Sequence, residues 1–427
     1  CFERPRSAAD GAAAMSTPES VQAWLAGLGE RGPVDGQATA DVLRAVRGYL
    51  AAARERLAEV HRTSQSGARV NALHSALRDR LVRRLFQIAE AEYFSERKGA
   101  ADRIAVLAVG GYARREMSLH SDVDLLLLHG GPPTPYVTRI AERIQLWLWD
   151  AGLVVGCATR TVEDTIELAR RDNTVFTGIL DTRFLSGDPV FYHEFLDAIR
   201  RELLQDVEGF LARQLEAGAQ RHEAYGEAPY LLQPNVKEGA GGLRDHHAAI
   251  WAMRAVLPST RGLEDLLHYG LLTESEMEAY RDALDFLWRV RNELHGIAKR
   301  RQDQMSFELQ EQIAARFGYP ERGPDAPLPV ELFMSDYYRH ARAIRNYSEL
   351  ALEQCGRRAR RAPAPLGVDQ DLLPATRATQ VALPRALGAG DAEAIALDVA
   401  RGAQLRERLG RDLGHVPDDV GPDLAVG

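Results

Sequence analysis

A chain of 427 residues, 45% hydrophobic and 27% charged, has the make-up of a globular protein and enough length for two or three domains. The net charge of −8 argues against wholesale coating of nucleic acid, and no apolar run approaches the roughly 18 residues that a membrane helix needs. Three widely spaced cysteines, Cys1, Cys157 and Cys355, offer neither a disulfide framework nor a zinc-binding spacing, so the expected compartment is the reducing cytoplasm.

Residues 1–35 are rich in Ala, Gly, Pro and charge, and the composition predicts disorder there. Cys1 to Ala14 lacks the apolar core of a signal peptide, and Met15-Ser16-Thr17-Pro18 reads as a natural start. The chain is therefore expected to carry translated upstream codons or to be a fragment. From Thr39 to Glu96 apolar residues recur at helical spacing, with a connector at Thr63-Ser64-Gln65-Ser66-Gly67. Arg78, Arg80, Arg83 and Arg84 are expected on a solvated helix face.

The informative stretch follows. Ile104 to Val109 is an apolar run that ends in Gly110-Gly111, and Asp122-Val123-Asp124 then opens a second run, Leu125 to Leu128. The pattern predicts strand, glycine turn, short helix, strand. Residues i and i+2 of a strand share a face, so Asp122 and Asp124 project together. Adjacent like charges repel unless a cation lies between them, and hard oxygen ligands suit Mg²⁺ shared with substrate phosphates. The glycines leave backbone amides free to face a phosphate. Together these features point to metal-assisted nucleotidyl transfer; the alternative is a turn glycine pair beside ordinary strand-end charges.

Beyond a Pro-rich loop at 132–135, Val137 to Leu153 reads as an amphipathic helix, Leu153 to Thr161 as a strand, and Glu163 to Arg171 and Val175 to Leu185 as helices. That order makes a small mixed α/β unit with its site at one end of the sheet. From Val190 strand signals nearly vanish, and residues 190–356 are expected to be all-α. Within them, Lys237-Glu238-Gly239-Ala240-Gly241-Gly242-Leu243-Arg244-Asp245 sets three glycines between two cations and just before a helix. This is a candidate anion site, or else a connector whose glycines serve packing. Of His246-His247, one is expected packed and one solvated, and Arg291 and His295 are expected to pair with acids such as Glu293 and Asp285, or else to reach nucleotide phosphate. Past Arg357 the chain turns Pro/Ala-rich, with weak helical periodicity and no identifiable chemistry.

These residues together resemble the bacterial PII uridylyltransferase/uridylyl-removing enzymes. Gly110-Gly111-Tyr112, Arg114, Glu116 and Ser121-Asp122-Val123-Asp124 are similar to the family's nucleotidyltransferase motif, and Pro234 to Asp245 is similar to its more specific Pro-Asn-Ile-Lys-Glu-Gly-Pro-Gly-Gly-Leu-Arg-Asp stretch. Arg289 to His295 and Phe333 to Ala341 match further family stretches, and the likeness covers roughly residues 40–355. It implies an α+β fold: a polymerase-β-like nucleotidyltransferase domain with a mixed sheet over 36–189, then an all-α domain over 190–356. A linker and weakly helical tail occupy 357–427. The resemblance further implies Mg²⁺ as cofactor, UTP as donor and a tyrosine of the PII signalling protein as acceptor, with no nucleic-acid or membrane partner.

Carried over residue by residue, Asp122 and Asp124 would ligate the metal. Gly110, Gly111, Arg114, Ser121, Lys237 and Arg244 would hold the nucleotide, and Asp181 is the candidate third carboxylate, because the strand over 154–161 has no acid. Ala113 and Arg115 stand where the family has glycines and are expected to crowd the phosphate turn. The family's HD phosphohydrolase and ACT domains find no counterpart after Arg357, so uridylyl removal and glutamine sensing are expected to be missing from this chain. A non-catalytic nucleotide-binding or PII-interaction module with a decayed site is the second reading, and AMP transfer to a protein is the third.

Overall fold

A computed structural model of the chain describes residues 37–96, 102–226, 231–257, 264–321, 323 and 326–361. The expected disorder of residues 1–35 and the tail beyond Arg361 lie outside them. The chain opens with a helical hairpin, α1 (Gln37–Ser64) and α2 (Gly67–Glu96), broken at Gln65, whose φ of 51° ends the first helix. A four-stranded sheet follows: β1 (Ile104–Ala108), β2 (Val123–His129), β3 (Val155–Thr161) and β4 (Arg183–Gly187), in the order β3-β2-β1-β4. β1 is antiparallel to β2 and β4, whereas β2 and β3 run parallel across helix α4 (Pro135–Asp150), so the sheet is mixed as expected. The short helix α3 (Gly110–Ala113) joins β1 to β2, and α5 (Val162–Arg171) and α6 (Asn173–Leu180) join β3 to β4.

After β4 the described residues form helices: α7 (Pro189–Glu202), α8 (Val207–Tyr225), α9 (Leu243–Val256), α10 (Asp265–His268), α11 (Glu274–Ala298), α12 (Phe307–Phe317) and α13 (Pro329–Arg361). The expected single helix from Phe191 to Ala217 is two, because Leu203 ends one and Asp206 caps the next through the Gly209 amide. A Thr273–Glu276 capping box starts α11.

Strand parity decides what each sheet face meets. Val106, Ala108, Leu125 and Leu127 pack against α1, α2 and α4, while Ala105, Leu107, Leu126 and Leu128 join the core built by α7 to α13. That core runs across the expected 189/190 boundary. Asp124 has the parity of Leu126 and Leu128, so its side chain is turned toward the helical half, while Asp122 lies just before the strand.

Two expectations about the arginine face and the histidine pair are corrected by this packing. Arg78 is only 6% exposed, because its side of α2 packs against sheet and helices, whereas Arg83 is exposed as expected and donates to the Leu185 carbonyl at 3.0 Å. His246 and His247 are both buried, since α9 is surrounded on all sides.

Candidate active site at the strand end

Asp124 lies at the start of β2 in parallel register with Gly156 of β3. A Cβ on Gly156 would stand 2.6 Å from Asp124 Oδ1, so the neighbouring strand must carry glycine for the carboxylate to sit there. On the other side, Gly110 adopts φ +57° at the opening of α3, and its missing Cβ would stand 4.0 Å from Asp124 Oδ2. The first amides of a helix have no intrahelical partner, so Gly110 and Gly111 set donor groups beside a carboxylate held in a slot between two glycines.

Cations surround the pair. Arg301 Nη1 lies 3.4 Å from Asp122 Oδ2, and Lys237 and Arg301 both act on Asp124. Burial and the Asp122 charge push the Asp124 carboxyl up from its ordinary value, against the pull of those two cations. Lys237 is displaced the other way, to about 8, by burial and by neighbouring Arg244 and Arg291, with Glu238 at 3.5 Å opposing. Behind them Arg291 bonds Asp303 at 2.7 Å and His295 approaches it at 3.5 Å. Burial alone would raise the Asp303 carboxyl, but these contacts hold it far below the carboxylate range. Arg291 and His295 therefore pair with Asp303, not with Glu293 and Asp285 as expected.

Two carboxylates side by side, one of them burdened by burial and by its neighbour, fit a hard divalent cation. Among the described residues no group of three His, Cys, Asp or Glu gathers as a metal site. The third carboxylate expected at Asp181 is not brought to the pair. Asp181 is 3% exposed and bonded by Arg114, Arg254 and the Trp251 indole. Its oxygens are engaged in a buried network away from the pair.

Arg114 belongs to the same network. Its Nε donates to Glu116 at 2.8 Å, one terminal nitrogen binds Asp181 and the other meets His247 at 3.2 Å. All three nitrogens have partners inside the protein. Ala113 packs in the hydrophobic core, and Arg115 lines a cavity of about 1250 Å³ that includes neither Asp122 nor Asp124. Ser121 lies in the turn before Asp122, its amide on the Ser118 carbonyl at 2.9 Å.

The glycine-rich stretch before α9 is not an anion cradle. Leu243 and Arg244 donate their amides to the Val236 and Lys237 carbonyls, and Gly241 donates to Asp245 at 2.7 Å. Gly241, at φ +73°, lies so close to α13 that a Cβ would stand 2.2 Å from the Ala341 carbonyl oxygen. The glycines fold a tight knot whose product is the placement of Lys237. Arg244 bonds Glu238 at 3.3 Å and lies over the Trp251 ring. Sequence reasoning missed Gly156 and Arg301; a glycine inside a strand that parallels the aspartate strand was the available signal.

Comparisons with known proteins bear on the family. Residues 209–352 match the family model described as GlnD PII-uridylyltransferase, and residues 51–165 match that of the putative nucleotidyltransferase DUF294. The bifunctional uridylyltransferase/uridylyl-removing enzyme of Cereibacter sphaeroides is 38% identical over 352 residues, 81% of this chain and 37% of the relative. Those of Erythrobacter litoralis and Rhodopseudomonas palustris are 37% and 36% identical, over 77% and 71% of this chain. The chain thus spans 36% and 33% of those two relatives' lengths.

Proposed function

Because the matched part of this chain belongs to the PII-uridylyltransferase family, we propose that it is a Mg²⁺-dependent nucleotidyltransferase that moves UMP from UTP to a tyrosine of a PII-type protein and releases pyrophosphate. The observation that supports this most is the Asp124 carboxylate in its slot between Gly110 and Gly156, with Asp122 beside it and Lys237 and Arg301 around it. Asp122 and Asp124 would hold the metal, which when bound stabilises charge on the attacking and leaving oxygens of an in-line displacement. Lys237 and Arg301 supply positive charge to the triphosphate, and the Gly110-Gly111 amides face it. Ser121 and Arg244 flank the approach.

The test is incubation of the chain with labelled UTP or ATP, Mg²⁺ and a PII-type protein. Wild type is expected to label the partner from UTP. Losing several kcal/mol of metal-derived stabilisation in Asp124→Asn lowers the rate by about a thousandfold. Undiminished labelling by that variant sinks the assignment, and labelling from ATP alone transfers it to adenylylation.

One observation favours a second reading, a nucleotide-binding module without turnover: β3 carries Gly156 beside Asp124 and no acid, while Asp181 is consumed elsewhere. Nucleotide binding without pyrophosphate release distinguishes it.

A further inference from the structure

A second cavity, about 1000 Å³, opens between α1, α2 and the C-terminal ends of α11 and α12. Asp122 stands on its rim, but Asp124 and Lys237 do not line it. Its wall is cationic. Arg54 from α1, Arg78 from α2 and Lys299 just after α11 face it. Its two acids are already answered: Asp122 by Arg301 at 3.4 Å, and Glu293 by Arg316 at 2.6 Å and His61 at 2.7 Å.

Two of its wall residues are unfinished in complementary ways. Arg78 is 6% exposed, and its Nε and Nη1 are buried with no hydrogen-bond partner among the described residues. Burial pushes its guanidinium down to about 10; Tyr49 and Tyr112 act in its favour and Arg54 against it, with no carboxylate among these influences. A buried cation left unpaired is costly, and the cost is relieved by an anion in the cavity. One turn earlier on the same face, His74 Nδ1 lies 3.1 Å from the Ser118 carbonyl oxygen and 3.3 Å from that of Met117. Two carbonyl acceptors place the hydrogen on Nδ1 and leave Nε2 as a bare acceptor, also buried and unpartnered. The cavity therefore asks for negative oxygens and, next to them, an O–H donor. A carboxylate satisfies only the first demand at neutral pH. A hydrogen phosphate, or a phosphate carried on a hydroxylated group, satisfies both.

We propose that this cavity, which adjoins Ser121 and Asp122 but not Asp124 or Lys237, is a second anion site that binds a phosphate-bearing small molecule through Arg78, with His74 Nε2 accepting from its hydroxyl and Arg54 and Lys299 attracting it. The site needs no metal and stands whether or not the aspartates catalyse transfer.

Titration calorimetry on the purified full chain in EDTA tests it, with inorganic phosphate as probe and acetate as the control anion. Phosphate is expected to bind and acetate to bind at least tenfold more weakly. Arg78→Gln is expected to weaken phosphate at least tenfold and His74→Leu a few-fold. Arg78→Gln without phosphate is expected to melt no lower than wild type, since it removes an unpaired buried charge. If that variant does not fold, Arg54→Gln at the exposed rim is expected to weaken phosphate about threefold through lost attraction. No phosphate binding by wild type, equal binding of acetate, or wild-type affinity in Arg78→Gln or Arg54→Gln each overturns the proposal.

Discussion

Lys237 is an ammonium held in a place that disfavours its charge, and its two pH dependences have opposite signs. Its folded pKa lies at about 8, below the ordinary 10.5, through burial and the nearby arginines. The cationic form that would hold a triphosphate is present below about pH 8 and is lost as pH rises through it. Nucleotide affinity measured by titration is therefore expected to fall between pH 7 and pH 9, and Lys237→Met is expected to abolish that dependence. Stability moves the other way: between about 8 and 10.5 the unfolded chain binds the extra proton, so the Lys237 contribution to folding improves as pH rises across that window. Arg115 is the second residue with a cost on show. Its φ of +64° lies in the left-handed region, which favours glycine. Arg115→Gly is expected to raise the melting temperature, by about 1 kcal/mol of relieved strain in a chemical denaturation series.

At the scale of elements, the hairpin α1–α2 is locked to α11 by a close helix crossing. A Cβ on Gly67 would stand 2.2 Å from the Arg289 amide nitrogen, so α2 begins in backbone contact with α11. Asp285 of α11 then caps that start, with Oδ1 accepting from the Ala68 amide and the Ser66 hydroxyl, both at 2.8 Å. Gly67→Ala forces the helices apart and is expected to cost roughly 1–3 kcal/mol, read as a lowered midpoint in urea. The Arg114–Glu116–His247 and Asp181–Arg254–Trp251 contacts fasten α3 and α6 to α9 in the same way. Replacing Asp181 by Ala leaves two arginines facing each other in the interior, and a loss of about 3–5 kcal/mol is expected by the same measurement.

For the whole molecule, the aspartate pair lies where three bodies meet: the sheet, the helical half and the hairpin. Glu293 of α11 ties two of them, accepting from Arg316 at 2.6 Å and meeting His61 at 2.7 Å. Burial would raise its carboxyl, but the bonds from His61 and Arg316 outweigh burial and hold it below its ordinary 4.5. A depressed carboxyl contributes stability that is present above the unfolded value and is lost as pH falls through the folded one. Wild type is therefore expected to lose stability below about pH 4.5 more steeply than Glu293→Gln, as followed by melting temperature against pH.

Much of this was legible in the chain itself, for physical reasons. The period-two and period-3.6 patterns of Ile104 to Leu128 and of the later helices set the elements, since each must bury one face. The i, i+2 spacing of Asp122 and Asp124 singled them out as a candidate pair, and the stretch from Pro234 to Asp245 carried the family likeness. Only the tertiary structure decided which charges remain available. Arg114 and Asp181 look like site residues in one dimension, but the packing of α9 against α3 and α6 consumes them in one another. Gly156 and Arg301 carry no motif, yet register and the end of α11 bring them to the aspartates. Arg78 read as a solvated helix face and is a buried cation, because no local pattern records which side of a helix a distant partner will cover.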